Sequence, residues 1–86
     1  MFDKSQLNLL DPKYFNIFTV DEYEVAIQSR CTGHCWYIRS VSDDKCIIFH
    51  KHKRIDQYHQ HGIGYSLRHA IKTIKSHDKW QAGGRK

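Results

Sequence analysis

Apolar and polar positions alternate over residues 22–30: Tyr23, Val25 and Ile27 point one way, Glu22, Glu24 and Gln28 the other. A period of two belongs to a strand with one buried face. Cys31-Thr32-Gly33 then reads as a turn, with glycine free to take positive φ. Residues 34–41 form a second strand, rich in the β-formers Trp36, Tyr37, Ile38 and Val41. Ser42-Asp43-Asp44 is the next turn, and residues 45–53 a third strand centred on Cys46, Ile47, Ile48 and Phe49. Two short connections make these strands an antiparallel meander. Upstream, residues 14–18 fit either one helical turn or a short strand, and their aromatic content leans to the strand. Asp11-Pro12 has the form of an N-cap followed by proline at the first helical position.

The period changes after residue 53. Residues 54–64 read as a polar, histidine-rich loop closing on Gly62-Ile63-Gly64. A helix then starts near Tyr65 or Ser66, because Leu67, Ala70, Ile71 and Ile74 fall at i, i+3, i+4 and i+7. Arg68, Lys72, Lys75 and Lys79 lie on another face of it. It should end between Ser76 and Trp80, leaving residues 81–86 as a flexible basic tail. The expected fold is therefore α+β: a three- or four-stranded antiparallel sheet with one C-terminal helix packed on one face. A single small domain spans residues 1–80, with residues 1–12 loose. Val25, Ile27, Trp36, Ile38, Ile47 and Phe49 are expected to face the helix. Gln28, Arg30, Tyr37, Arg39, Ile48, His50 and His52 would then occupy the open face. A register slipped by one residue would exchange these sets.

Composition narrows the function. At 86 residues the core is thin, which favours a surface site over a deep enzyme pocket. Charge is uneven. Residues 1–29 hold five acids and two lysines, whereas residues 30–86 hold twelve Lys or Arg, four Asp and all seven histidines. The net charge of +5 is thus concentrated downstream, which points to a polyanionic partner such as RNA or DNA. Three cysteines cannot all pair, and no secretory leader is evident, so free thiols and a cytoplasmic location are expected. No apolar run is long enough to span a membrane. Abundant Ile and Lys with scarce Ala suit an AT-rich bacterial genome.

Histidine carries the candidate chemistry, since it titrates near neutrality, ligates metals and moves protons. His50, His52, His59 and His61 form two His-x-His pairs inside twelve residues. Four readings follow. The pairs could hold zinc, although the Cys-x-x-Cys spacing of structural zinc knuckles is absent; otherwise no cofactor is called for. His59, His61, Ser66 and Arg68 could bind an anion at the start of the helix, where the plainer reading makes Ser66 an N-cap. The open sheet face, with Arg30, Tyr37, Arg39, His50 and His52, could contact nucleic acid, joined by His59, His61, Arg68 and Lys72. Finally, His34, His50, His59 or His61 could act as general base on a ribose hydroxyl. No serine or cysteine nucleophile motif accompanies them.

Tyr23-Glu24-Val25, Gly33-His34, Trp36-Tyr37, Phe49-His50 and Gly64-Tyr65-Ser66-Leu67-Arg68 together resemble small bacterial HicA-type ribonuclease toxins, over about half the chain. That resemblance implies a β-meander, a metal-independent ribonuclease activity and a catalytic role for His34. Thr32-Gly33-His34 stands where the family has Gly-Ser-His, and the family's amphipathic first helix is not evident before Glu22. The leading expectation is a cytoplasmic nucleic-acid-binding domain with a basic, histidine and aromatic surface. The alternatives are a toxin-like ribonuclease and a protein-interaction module docking through its acidic first third. Edge strands in so small a sheet allow a homodimer.

Overall fold

A computed structural model of the protein describes residues 1–84. A one-turn helix α1 (Lys4–Leu7) precedes strands β1 (Phe15–Val20), β2 (Glu24–Ser29), β3 (Cys35–Ser42), β4 (Lys45–Lys51) and β5 (His59–Gly64). Helix α2 (Leu67–Lys79) follows and runs into a π-helical turn, Trp80–Gly84. The strands form one antiparallel sheet in the order β1-β2-β3-β4-β5. The α+β meander with a C-terminal helix is as the periodicity dictates, with five strands instead of three or four.

The extra strand is β5, which falls in the segment read as a loop. His59-Gln60-His61-Gly62-Ile63-Gly64 has two glycines and little β propensity. Its strand conformation comes from pairing with β4 and from the helix above it. Gly64 makes that cover possible: a Cβ there would sit 2.9 Å from Cys46 Sγ and 3.5 Å from Ala70 Cβ. The β2–β3 turn depends on Gly33, at φ +79°.

One face of the sheet packs under α2. Val25, Ile27, Trp36, Ile38 and Ile48 are fully buried there against Leu67, Ala70 and Ile74. In β4 the expected faces are exchanged. Cys46, Ile48 and His50 are buried, whereas Ile47 and Phe49 are only half-buried on the far side. The cause is a bulge in β3. Ser42 pairs with Lys45 but Ser40 pairs with Cys46, so Val41 is an extra residue. Were Val41 paired regularly, Ile38 would face Phe49; with Val41 bulged out, Ile38 faces Ile48 and Trp36 faces His50.

Helix α2 starts where its stripe predicts. Ser66 is its N-cap, the hydroxyl accepting from His69 N at 3.0 Å. Residues 1–12, expected to be loose, carry α1 and bury Phe2 and Leu10 in the core. Gln6 Oε1 also accepts from Leu67 N at 2.8 Å, satisfying one of the amides at the start of α2. Asp11-Pro12 begins a tight turn into β1, not a helix: Asp11 Oδ1 accepts from Lys13 N and its carbonyl from Phe15 N. The expected tail at 81–86 begins instead as the π-helical turn, and its last two residues lie outside the described residues. Among the described residues no helix is long and apolar enough to cross a membrane.

Candidate metal centre

The β3 bulge has a consequence for chemistry, because it turns His50 inward. The turn before β3, the end of β4 and β5 then contribute imidazoles to one end of the helix-facing surface. His34 follows the Gly33 turn, two residues before Trp36. His50 lies directly across from Trp36, and His59 directly across from His50. A second bulge, between the Ile48–Gly62 and Phe49–Gln60 pairs, makes His61 an extra residue in β5. His52 sits just beyond the end of β4. Because α2 runs back along the sheet, its last turn brings His77 over the same spot.

These six side chains gather at the buried Trp36 indole. The His50, His61 and His77 rings lie 4.2, 5.2 and 5.2 Å from it, centroid to centroid. His34 stacks on His52 at 4.5 Å with the rings 17° apart. His50 is 5.3 Å from His59, 5.5 Å from His61 and 4.9 Å from His77. The tightest contact is polar: His34 Nδ1 lies 2.9 Å from His50 Nε2. His34, His50 and His52 each offer a ring nitrogen, and these three atoms lie within 4.8 Å of one another. His34 and His50 are only 6 % and 2 % exposed, whereas His52 is at the surface. The cluster therefore runs from core to solvent.

No family model, curated protein or solved structure matches this chain. What the cluster can do rests on its own geometry.

Three rings of the cluster are held toward the neutral form. Burial, reinforced by His34, His77, His61 and His52, lowers the His50 pKa from 6.5 to about 3. Burial and histidine neighbours also lower His61 and His77, with Asp78 opposing the shift at His77. Asp78 itself is buried and holds two hydroxyls: it accepts from Tyr14 OH at 2.7 Å and Thr32 Oγ1 at 3.1 Å. Thr32 Oγ1 in turn accepts from His34 N at 3.3 Å, so Asp78 holds the turn that presents His34. His77 Nδ1 is buried and lacks a hydrogen-bond partner. The C-terminal end of α2, with its partial negative charge, lies beside the rings and favours a cation there.

Five of the residues singled out by sequence converge here: His34, His50 and His52, with His59 and His61 at the edge. The set differs from the zinc quartet expected from the two His-x-His pairs, because His34 joins His50 and His52 at the centre. His34, the residue the HicA resemblance marks as catalytic, is buried against His50. His77 was missed. Its signal was its position, three residues after Ile74 on the buried stripe of α2, where an apolar side chain is expected.

The remaining candidates disperse. His59 stands at the opposite end of β5 from the N-terminus of α2, about 17 Å of strand from Gly64, and His61 is about 10 Å from it, so no anion site forms with Ser66 and Arg68. The seventh histidine, His69, accepts from Tyr65 N instead. The expected open-face surface is also broken up. His50 and His52 are on the helix side. Arg30 donates to the Pro12 carbonyl at 3.0 Å, and Tyr37 OH donates to Glu24. The β4–β5 connection crosses that face: Tyr58 packs 5.9 Å from Tyr37, Lys51 lies over Tyr58, and Arg54 lies over Phe18 of β1. Arg39, Arg68 and Lys72 remain exposed, and Lys72 shares a surface groove with His77.

Proposed function

We propose that the protein binds a transition-metal ion of the zinc class through His34, His50 and His52, with a further coordination position open to solvent beside His52. The observation that carries this reading is the mutual approach of three ring nitrogens to within 4.8 Å at a semi-buried site. Tetrahedral zinc with bonds of 2.0–2.1 Å separates its nitrogen ligands by about 3.3 Å. The 2.9 Å between His34 Nδ1 and His50 Nε2 is already near that value.

The chemistry of the donors agrees. Metal binding needs unprotonated imidazole, and burial keeps His50 unprotonated at neutral pH. Imidazole donors suit zinc, copper, nickel or iron and not calcium or magnesium. Three neutral ligands leave the full dipositive charge on the ion, so the fourth position takes water, hydroxide or an anion. Three histidines plus one solvent position is the layout of a catalytic zinc site, in contrast to the closed set of a structural one. Asp78, through Thr32 Oγ1 and the His34 backbone amide, would hold the turn that presents the His34 ring.

The test is metal analysis of untagged protein purified without chelator, followed by cobalt(II) titration of stripped protein. One equivalent of metal, a tetrahedral cobalt spectrum and loss of both in His50→Ala and His34→Ala are expected. A metal ratio near zero, with no cobalt spectrum at micromolar concentrations, overturns the proposal.

A further inference from the structure

Beside the cluster, on the outer side of α2, runs a surface groove of about 440 Å³ lined by His69, Lys72, Thr73, Ser76, His77 and Trp80. These residues recur at intervals of three, one, three, one and three, so they form one face of the helix continuing into the π-helical turn. Lys72 and Trp80 are eight residues apart, about 12 Å along the axis. Trp80 is 53 % exposed although it is the largest apolar side chain available for burial, and it meets His77 with ring centroids 5.8 Å apart. Trp36, the other tryptophan, is fully buried. The groove thus pairs an open aromatic plate with an ammonium group, two hydroxyls and two imidazoles, and no carboxylate lines it.

We infer that this groove binds single-stranded nucleic acid, with a base stacked on Trp80 and the backbone phosphates held by Lys72, Ser76 and Thr73. An exposed aromatic surface accepts any base face, and lysine with hydroxyl groups holds phosphate without reading sequence. The distance of about 12 Å between plate and ammonium suits two or three nucleotides. A duplex keeps its base faces stacked and offers Trp80 nothing. The basic excess in residues 30–86, which include the whole groove, favours a polyanion, and the exposed Trp80 plate favours one with bases to stack over an acidic peptide. His77 forms the wall between groove and cluster, touching both Trp80 and the His50 and His61 rings. A strand in the groove therefore passes along the edge of the histidine cluster. The inference goes beyond the metal proposal and does not rest on it, since the groove contains none of the three proposed ligands.

Fluorescence anisotropy with labelled twelve-nucleotide oligothymidylate, oligouridylate and a duplex of the same length, at low salt, tests it. Both single strands should bind more tightly than the duplex, and their relative affinities decide between DNA and RNA. Trp80→Ala should weaken single-strand binding by about 5- to 100-fold, the loss of one stacked base. Lys72→Gln should weaken it and lower the slope of log K against log salt by about 0.7 for each phosphate that Lys72 neutralises. Both variants are at exposed positions, and cobalt binding should persist in each, which separates failure of this inference from failure of the metal proposal. Duplex binding equal to single-strand binding, no binding at low salt, or wild-type affinity in both variants would overturn it. In the last two cases Trp80 is left to a protein partner.

Discussion

Lowering the pH should destabilise the metal-free protein through His50, before its carboxylates titrate. In the folded chain the His50 pKa is lowered from 6.5 to about 3, first by burial and then by four neighbouring histidines. Between those values the unfolded chain binds a proton that the native chain refuses. Stability is therefore complete above pH 6.5 and falls as the pH drops toward 3. Each pH unit inside the window removes about 1.4 kcal/mol. From pH 6.5 to 4.5 the loss is about 2.3 kcal/mol from His50 alone. His61 and His77 are displaced in the same direction and add to it. A domain of this length has about 4–13 kcal/mol to lose, so the effect is a large share of the total. Urea unfolding of chelator-stripped protein at pH 7.5, 6.5, 5.5 and 4.5 measures it directly, with the slope m checked for constancy. His50→Gln supplies the control, since it keeps a polar side chain and removes the titrating ring: its stability should vary less with pH, whatever its absolute value. A wild-type stability that is flat from pH 6.5 to 4.5, or a pH dependence identical in His50→Gln, rules out His50 as the source of acid sensitivity.

Three other perturbations probe separate parts of the structure. Gly64→Ala puts a methyl 2.9 Å from Cys46 Sγ and should cost about 1–3 kcal/mol of overpacking, read from denaturant midpoints; a neutral result would mean that α2 moves off β5 freely. Asp78→Ala removes the acceptor of the part-buried Tyr14 and Thr32 hydroxyls, at about 1–3 kcal/mol in all. The same variant should weaken cobalt affinity about 10- to 100-fold by freeing the His34 turn, and unchanged affinity would separate Asp78 from the site. Deleting Val41 makes the β3–β4 pairing regular while keeping Ile38 opposite Ile48 and Trp36 opposite His50, so cooperative unfolding and cobalt binding should both persist; a deletion variant that folds but no longer binds cobalt would show that the bulge shapes the site by more than its register.

The strands β2 and β3 and the helix α2 were legible because each shows its own period clearly and each buries a single face. Ser66 and Leu67 mark the start of α2 on cap chemistry alone. β4 was legible as a strand but not in its facing, because Cys46, Ile47, Ile48 and Phe49 are all apolar and the run carries no alternation. What chose Cys46 and Ile48 was the bulge at Val41, and nothing in Ser40-Val41-Ser42 distinguishes a bulged from a regular strand end. That one residue also decided the site. With regular pairing His50 would lie on the open face, where an unbroken period of two places it; with the bulge it meets Trp36 and His34. β5 was hidden for a different reason. His59–Gly64 has no strand propensity of its own and exists by pairing, a tertiary effect. His34 and His77 were separable from the other histidines only by knowing that the β2–β3 turn and the last turn of α2 end at the same place.

The polar character of this end of the core argues for a site in its own right. At His50 and His34 the sheet buries two imidazoles, whereas further along the same face Ile38 pairs with Ile48. An aliphatic side chain at residue 50 would gain about 1.5–3 kcal/mol of burial and would remove the acid sensitivity that His50 brings. The fold forgoes that gain while keeping every other helix-facing position of β2, β3 and β4 apolar or small. It also commits a buried Asp78, a Tyr14 hydroxyl and a Thr32 hydroxyl to fixing the turn in front of His34. Local departures from the best core are found where a protein holds chemistry in place. A histidine used only as filler would not need its neighbouring turn anchored, and it would not need a second and a third histidine brought to within ligand distance. The His61 bulge and the Asp78 anchor lie at one end of the sheet, the Val41 bulge at the other end turns His50 toward them, and the place where they meet is where His52 reaches solvent.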